Sequence, residues 1–265
     1  MAIATLDSIV AAMPGYALPI NKVTATSKAA GTFHSLFKVA GYPGAGSSPA
    51  AFGSNGTQYT QGNGGLSWAN PGSGNTYLAR YSASSSTVGT IVLYDRIWAC
   101  SGMSGTSGSA QTIPSFPALA RYTTGEYLEM YVEWYSATGG TAATFTVSYT
   151  AQLSAGAGTS PSTTIQATPA VGQMQPIPLQ AGHYGVKSIT SLTLSGTTGT
   201  AGDFGITLLK RIAEIPVTSA NIAGVQDAIA LGFPQIVNDS CLCFMVMCST
   251  TNTGQIIGSV NLIQG

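Results

Sequence analysis

The sequence predicts a mostly β protein, an antiparallel β-sandwich of the jelly-roll kind with a few short helices. After residue 76, apolar and polar residues alternate with a period of two over many short segments, which is the spacing of strands that bury one face. Runs of Gly, Ser, Thr and Asn separate these segments and are typical of turns. The length of 265 residues fits one large sandwich or barrel.

The N-terminal part of the chain differs in pattern from the remainder. Residues 1–45 are predicted to form a helical or arm segment, and residues 46–265 a β-sandwich domain. Residues 44–76 are rich in Gly, Ser, Asn and Pro, which favours an extended loop region. Long loops in compact domains are usually either functional or disordered. We therefore expect this region and the N-terminal segment to contact neighbouring molecules.

Three short helices are predicted. Thr5 suits the capping of a helix that runs to Met13, where a Pro-Gly pair follows. A second helix is predicted over Phe33–Ala40, which a Gly-Tyr-Pro-Gly turn would stop. The third has Ser219 as its N-cap and Asn221–Ala230 as its body, and Gly and Pro residues follow it.

The clearest strand is Tyr127–Tyr135. Every second residue of it is apolar, and the residues between them are Tyr and Glu. The alternation resumes over Thr144–Ala151 after a Gly-rich turn, so the two segments predict a hairpin with one buried face. Further strands are predicted at 87–99, 186–194, 204–212, 241–248 and 256–263.

Charged residues are scarce. They make up 7% of the chain, against roughly 25% in an ordinary soluble domain, and nine basic residues balance nine acidic ones. Such a chain makes a poor free monomer because nothing repels its copies, but it suits a subunit whose surface is largely covered. A surface wetted by Ser, Thr, Asn and Gln, as in fibre-like and lectin-like proteins, is the alternative. No basic stripe is present, so nucleic acid is not an expected partner.

The cysteines predict neither disulfides nor a metal site. The start of the chain, Met1–Asp7, lacks the basic region of a signal peptide, so we expect no export and no disulfides. Cys241 and Cys243 lie two apart on one predicted strand and would point the same way. No cofactor or metal is expected, and the longest apolar run, Cys241–Met247, is too short to span a membrane.

No catalytic motif is present, and we expect no enzyme activity. His34 and His183 are isolated in sequence, whereas an acid–base catalyst needs an orienting partner. Glu129 and Glu133 share a strand face but would lie about 13 Å apart, which is too far for paired glycosidase carboxylates. A cross-strand pair of Asp95 and Glu129 stays open.

The tyrosines of the clearest strand suggest contact with another molecule. Three interpretations are open for Tyr127, Tyr131 and Tyr135: a subunit interface, a glycan platform, or cross-strand packing on a solvated face. Apolar residues of the N-terminal segment are candidates for contact with a neighbouring molecule or a second subunit. The candidate interface residues are Leu6, Ile9, Val10, Phe33, Tyr127, Tyr131 and Tyr135.

Several segments resemble a family of virion structural proteins from tailed bacteriophages. They are Thr90–Gly102 (TIVLYDRIWACSG), Gly199–Pro216 (GTAGDFGITLLKRIAEIP), Cys243–Gly254 (CFMVMCSTTNTG), and the opening Ala4–Gly15 followed by His34–Lys38 (HSLFK). The resemblance spans nearly the whole chain, but its motifs are structural and carry no functional residues. It implies a phage particle protein from the head module.

Within that family we expect a capsid decoration, or cement, protein that binds the assembled head as a homotrimer. Its partner would be the phage major capsid protein, with no nucleic acid and no membrane, and its place the virion, assembled in the host cytoplasm. Three alternatives remain. A tail component fits the same composition, a major capsid protein would need a long spine helix that the pattern lacks, and a host glycan- or receptor-binding module would use the tyrosine face.

Overall fold

The computed structural model describes residues 5–12, 16–23, 28–153, 155–251 and 254–265. These residues form mostly β structure in antiparallel sheets with two short α-helices, which confirms the predicted fold class. No helix among them is both long and apolar enough to cross a membrane.

The helices and strands have the following bounds. The α-helices are α1 Leu6–Ala12 and α2 Ala228–Leu231, and the 3-10 helices are Phe52–Ser54 and Gln61–Asn63. The strands are β1 Tyr16–Val23, β2 Phe33–Ser35, β3 Gly41–Tyr42, β4 Thr57–Gln58, β5 Thr76–Ser85, β6 Gly89–Ala99, β7 Gln111–Thr112, β8 Leu128–Ser136, β9 Thr144–Ala151, β10 Ala157–Thr159, β11 Thr163–Thr164, β12 Gln173–Ile177, β13 Val186–Leu194, β14 Asp203–Val217, β15 Gly224–Asp227, β16 Gln235–Ile236, β17 Leu242–Cys248 and β18 Gln255–Gln264.

The chain folds into two compact units. The first comprises Met1–Ser47, Thr60–Asp95 and Ile212–Gly265, and the second comprises Ser48–Tyr59 and Arg96–Arg211. The division falls inside β6 and inside β14, so each of these strands contributes to both units. A separate role for residues 1–45 stays a prediction.

The first unit has two layers of strands around one core. One layer has the order β15-β5-β18-β1-β3, with β16 added on β5, and in the other β17 pairs with β2 and with β6. Alternate residues of each strand face inward, as the period of two requires. The core side chains include Leu18, Ile20, Leu78, Tyr81, Leu93, Phe244, Val246, Val260 and Leu262.

The second unit has its own core. One layer has the order β10-β9-β13-β7, with β11 on β9, and in the other β8 lies between β12 and β14. The short strand β4 pairs with the end of β6. The core side chains include Trp98, Met130, Trp134, Phe145, Val147, Leu192, Phe204 and Ile206.

The predicted hairpin of Tyr127–Tyr135 with Thr144–Ala151 is wrong. Strand β8 pairs with β12 and β14, whereas β9 pairs with β10, β11 and β13, so the two strands belong to different sheets. Both point into the same core, with Trp134 from one and Phe145 from the other. Alternation shows which face of a strand is buried but does not show its partner.

The predicted helix at Phe33–Ala40 is also wrong, whereas the first predicted helix is confirmed as α1. Phe33–Ser35 is the strand β2, whose residues pair with Met245–Met247 of β17. A segment this short does not form a stable helix on its own. Pairing with β17 therefore determines the extended backbone conformation of Phe33–Ser35.

The third predicted helix is shorter than expected. Gly224–Asp227 forms β15 on the edge of β5, and only Ala228–Leu231 is helical. Asp227, rather than Ser219, is the N-cap, since its carboxylate accepts hydrogen bonds from the backbone N–H groups of the first helical turn. Gly232 ends the helix as predicted, with a φ of 69°.

The other predicted strands are confirmed as β6, β13, β14, β17 and β18, with ends that shift by a few residues. The four cysteines are free thiols in the structure, and all four are buried. Their burial agrees with a role as small apolar side chains.

Candidate functional site

The described ranges contain no group of three or more His, Cys, Asp or Glu side chains that could hold a metal ion. Each histidine has a hydrogen-bond partner that is not a carboxylate. The Nε2 atom of His34 lies 2.8 Å from the hydroxyl of Thr32, and the Nδ1 atom of His183 lies 2.9 Å from the hydroxyl of Tyr149. Neither arrangement provides an acid–base pair.

The two glutamates of β8 have different surroundings. Glu133 forms an ion pair of 2.7 Å with Arg96, and both side chains are 1% exposed. Its carboxylate also accepts hydrogen bonds from Thr207 at 2.6 Å and from the Tyr135 hydroxyl at 3.1 Å. Glu129 forms a 3.0 Å ion pair with Arg211 at the surface.

The Glu133 carboxylate is enclosed within the second unit by groups that hold it ionised. Burial alone would raise the pKa of the Glu133 carboxyl, but the Arg96 guanidinium and the hydrogen bonds from Arg96, Thr207 and Tyr135 hold it below its usual value. The guanidinium lies 4.8 Å from the centre of the Tyr59 ring. The Glu133 side chain is 1% exposed, so its carboxylate has no open side for a substrate.

The three tyrosines predicted as one face lie in different environments. Tyr131 is 3% exposed and donates its hydroxyl to Glu129 at 2.8 Å. Tyr135 is half-buried and belongs to the Glu133 network. Tyr127 is 63% exposed. The sequence pattern placed these three tyrosines on one face of a strand, but in the structure only Tyr127 of the three is largely exposed to solvent.

A second exposed tyrosine stands beside Tyr127. The rings of Tyr127 and Tyr184 have centroids 5.3 Å apart at an angle of 40°, and the Tyr127 backbone N–H donates to the Tyr184 carbonyl at 3.1 Å. We call these two side chains the tyrosine platform. Tyr184 lies in the turn before β13, where no periodic pattern singles it out, and so the sequence did not indicate it.

Charges surround the tyrosine platform and balance one another. The Lys210 ammonium lies 4.7 Å from the centre of the Tyr127 ring. Burial lowers the pKa of Lys210, and the carboxylates of Glu129 and Glu126 oppose that shift. With the pair of Arg211 and Glu129, the surroundings hold two cations and two carboxylates.

The first unit carries a different surface, the outward face of the sheet β5-β18-β1. Side chains on this face are exposed or half-buried, and none of its central residues is charged. We call it the uncharged face. Its residues are Pro19, Asn21, Val23, Tyr42, Ser82, Ser84, Val225, Gln255, Ile257 and Ser259.

The register of the sheet sets these residues in rows. Ser84, Ile257, Asn21 and Tyr42 form one row across four strands. Polar neighbours bond to each other within the face: the Ser82 and Ser259 hydroxyls lie 2.9 Å apart, and the Gln255 amide donates to Asn21 at 2.6 Å. Charge begins only at the end of the face, where Arg80 is opposite Asp227.

The N-terminal candidates are only partly covered. Ile9 and Phe33 are half-buried, and Val10 is 62% exposed. The side chain of Leu6 lies outside the described residues. Residues 9, 10 and 33 thus leave apolar surface in the same unit as the uncharged face.

Comparison with known proteins gives little. No protein-family model matches the chain, and no curated protein matches it. Among solved structures, the chain is similar to two structures of infectious bursal disease virus, from strains Gx and Gt, with TM-scores of 0.21 and 0.19 and identities of 9% and 11%. The alignments cover 94% of this chain and 81% of each viral chain. At these TM-scores the likeness carries no conclusion about the fold or the function of this chain.

Proposed function

We propose that this chain is a structural protein of a tailed-phage virion, and within that class a capsid decoration protein. The uncharged face is the observation that carries the proposal. The resemblance of the phage-like segments and the mostly β fold support it. The protein acts by binding, without catalysis, cofactor or nucleic acid, and its place is the virion.

The physical reason is the cost of covering a surface. An ionised side chain loses several kcal/mol of hydration when a neighbour covers it, unless it is paired. Hydroxyl and amide groups lose much less, and here they already bond to one another across strands. The uncharged face therefore suits permanent contact with a protein neighbour, and interface cores are depleted of charge for the same reason.

Binding by this face stabilises the head through mass action. A protein that binds the assembled shell, and not its separate subunits, shifts the equilibrium toward the shell. The expected assembly is a homotrimer bound to the major capsid protein. In this proposal the uncharged face contacts the capsid shell, and the apolar residues Ile9 and Val10 of α1 add to that contact.

Replacing Ile257 with Lys places a charge at the centre of the uncharged face. We expect this variant to bind particles that lack the chain at least tenfold more weakly than the wild type, because the ammonium would be desolvated without a partner. Quantitative mass spectrometry of reconstituted particles gives the number of bound copies. The matched control is Ile229→Lys, at an isoleucine of the same unit that is 82% exposed and lies on α2. Equal occupancy of wild type and Ile257→Lys would overturn the proposal.

Deleting residues 2–12 removes α1 and leaves β1 intact. We expect fewer bound copies per particle, with the folded sheet retained, because Val10 and Ile9 are then missing from the contact. Circular dichroism checks the fold and mass spectrometry counts the copies. Unchanged occupancy would remove the N-terminal segment from the contact and leave the uncharged face to account for it.

Copy number also separates the alternatives within the virion. A decoration protein is present in numbers comparable to the capsid subunits, whereas a tail component is present in a handful of copies. Tail composition resembles that of head sandwiches, so the sequence does not divide them. A low copy number in purified particles would replace the head assignment with a tail assignment.

A further inference from the structure

The tyrosine platform rests on two backbone segments that are held closely together. Glu126 and Gly185 form an antiparallel bridge, and the Val186 N–H donates to the Gly125 carbonyl at 2.8 Å. A Cβ atom at Gly125 or at Gly185 would lie within 2.5 Å of the opposite backbone, so glycine is required at both positions. This close approach fixes where the neighbouring Tyr127 and Tyr184 emerge.

Tyr127 has a strained backbone conformation. Its φ of 57° lies in the left-handed region, which costs a bulky residue roughly 1 kcal/mol or more. Tyr127 is nevertheless 63% exposed, so burial of its side chain does not offset that cost. Backbone strain held in place by the surrounding structure is characteristic of binding sites.

The size of the tyrosine platform decides what it can bind. With 63% and 44% of two tyrosine side chains exposed, the open aromatic surface is about 200 Å². A stable protein interface needs about 800 Å² on each side. The open aromatic surface is therefore suited to one or two small rings rather than to a protein partner.

Hydrogen-bonding groups stand beside the rings. The Glu126 carboxylate accepts from the Thr124 hydroxyl at 3.0 Å and from the Tyr184 hydroxyl at 3.4 Å, with one bond to each oxygen. Each carboxylate oxygen retains a lone pair for a further donor. Thr124 also lines a groove of about 540 Å³, whose other walls include Phe116, Leu153 and Ser188.

The balance of charge selects the kind of ligand. Around the two rings, the charges of Glu126, Glu129, Lys210 and Arg211 sum to zero, and Lys187 adds a single positive charge in the groove. The rings themselves therefore offer no net attraction to an anion. Nucleic acid bases also stack on tyrosine, but their phosphates need excess cations to displace counterions. A neutral ligand with many hydroxyl groups and an apolar ring face fits all of these features.

We propose that the tyrosine platform and the adjoining groove bind a neutral oligosaccharide. A pyranose ring stacks on Tyr127 and Tyr184 and donates a hydroxyl to Glu126, and further sugar units lie in the groove past Thr124. The proposal does not depend on the decoration role, because the uncharged face of the first unit contributes nothing to this site.

An array of neutral and acidic oligosaccharides, followed by calorimetric titration with the best neutral one, tests the site. The wild type is expected to bind neutral glycans with a Kd in the millimolar range or tighter. Tyr127→Ala and Tyr184→Ala should each weaken binding at least tenfold, because base-like stacking on one aromatic ring contributes about that much. Glu126→Gln should weaken it less, since the amide oxygen still accepts.

Val171→Ala is the control, because Val171 is 57% exposed and lies in the second unit but outside the tyrosine platform and the groove. It should bind glycans like the wild type. Thermal unfolding of each variant shows that it is folded, and Tyr127→Trp should keep the affinity. The proposal is overturned if no neutral glycan binds, if only acidic glycans bind, or if Tyr127→Ala instead changes self-association of the chain.

Discussion

Replacing Glu133 with Gln is expected to lower the free energy of unfolding by about 3–5 kcal/mol. The substitution leaves Arg96 charged, buried and without its 2.7 Å counter-charge. Gln keeps the size of the side chain and one acceptor for the Thr207 hydroxyl, so the loss reports on charge rather than on packing. Urea unfolding followed by tryptophan fluorescence measures it, since Trp98 and Trp134 lie in the same core.

Glu129→Gln is the matched control on the same strand. Its ion pair with Arg211 has side chains 42% and 33% exposed, and surface pairs of this kind contribute about 1 kcal/mol or less. Replacing Arg96 with Met together with Glu133 by Leu should recover most of the loss, because a packed apolar pair has no charge to desolvate. Similar losses for Glu129→Gln and Glu133→Gln would contradict this account of the network.

Acidification from pH 7 to pH 4 is expected to cost about 3 kcal/mol of stability through His34 alone. Burial, assisted by the charge of Lys28, lowers the pKa of His34 from 6.5 to about 4. The unfolded chain binds a proton at this residue below pH 6.5 while the folded chain does not, so stability is present above that pH and is lost as the pH falls toward 4. The Nδ1 atom of His34 makes no hydrogen bond among the described residues that would favour the protonated form.

The difference in unfolding free energy between wild type and His34→Gln isolates this effect from the carboxylates. Gln stays neutral and can still bond to Thr32, so the wild type should lose its advantage over the variant between pH 6.5 and pH 4. The control variant His183→Gln keeps His34, so it should lose unfolding free energy between pH 6.5 and pH 4 as the wild type does. A difference between wild type and His34→Gln that does not change with pH would show that the pKa of His34 is the same in the folded and the unfolded chain, and it would contradict the account.

The alternation of apolar and polar residues predicted seven of the longer strands, but it did not predict β1 or β5. Tyr127–Tyr135 and Thr144–Ala151 have alternation strong enough to place both in the core of a sandwich. Their pairing was not predictable, because a period of two is the same whether the partner strand is adjacent in sequence or in the opposite sheet. Segments as short as Phe33–Ser35 take their conformation from a distant strand, which local pattern does not show.

The candidate site was predictable only in part. Tyr127 was found because it begins an alternating segment. Tyr184 and the close approach of Gly125 to Gly185 depend on contacts between segments far apart in sequence. Glu133 shows the reverse case: its position predicted a solvated face, yet Arg96 from β6 and Thr207 from β14 enclose it. The scarcity of charge was visible at once, whereas the uncharged face needed the register of β5, β18 and β1.

An image reconstruction of purified virus particles tests the central claim most directly. The account predicts density for this chain on the outside of the assembled head, in numbers comparable to the capsid subunits, with Ile257 and its row covered by a protein neighbour. Particles without the chain, or a bound chain whose Ile257 row faces solvent, would contradict it.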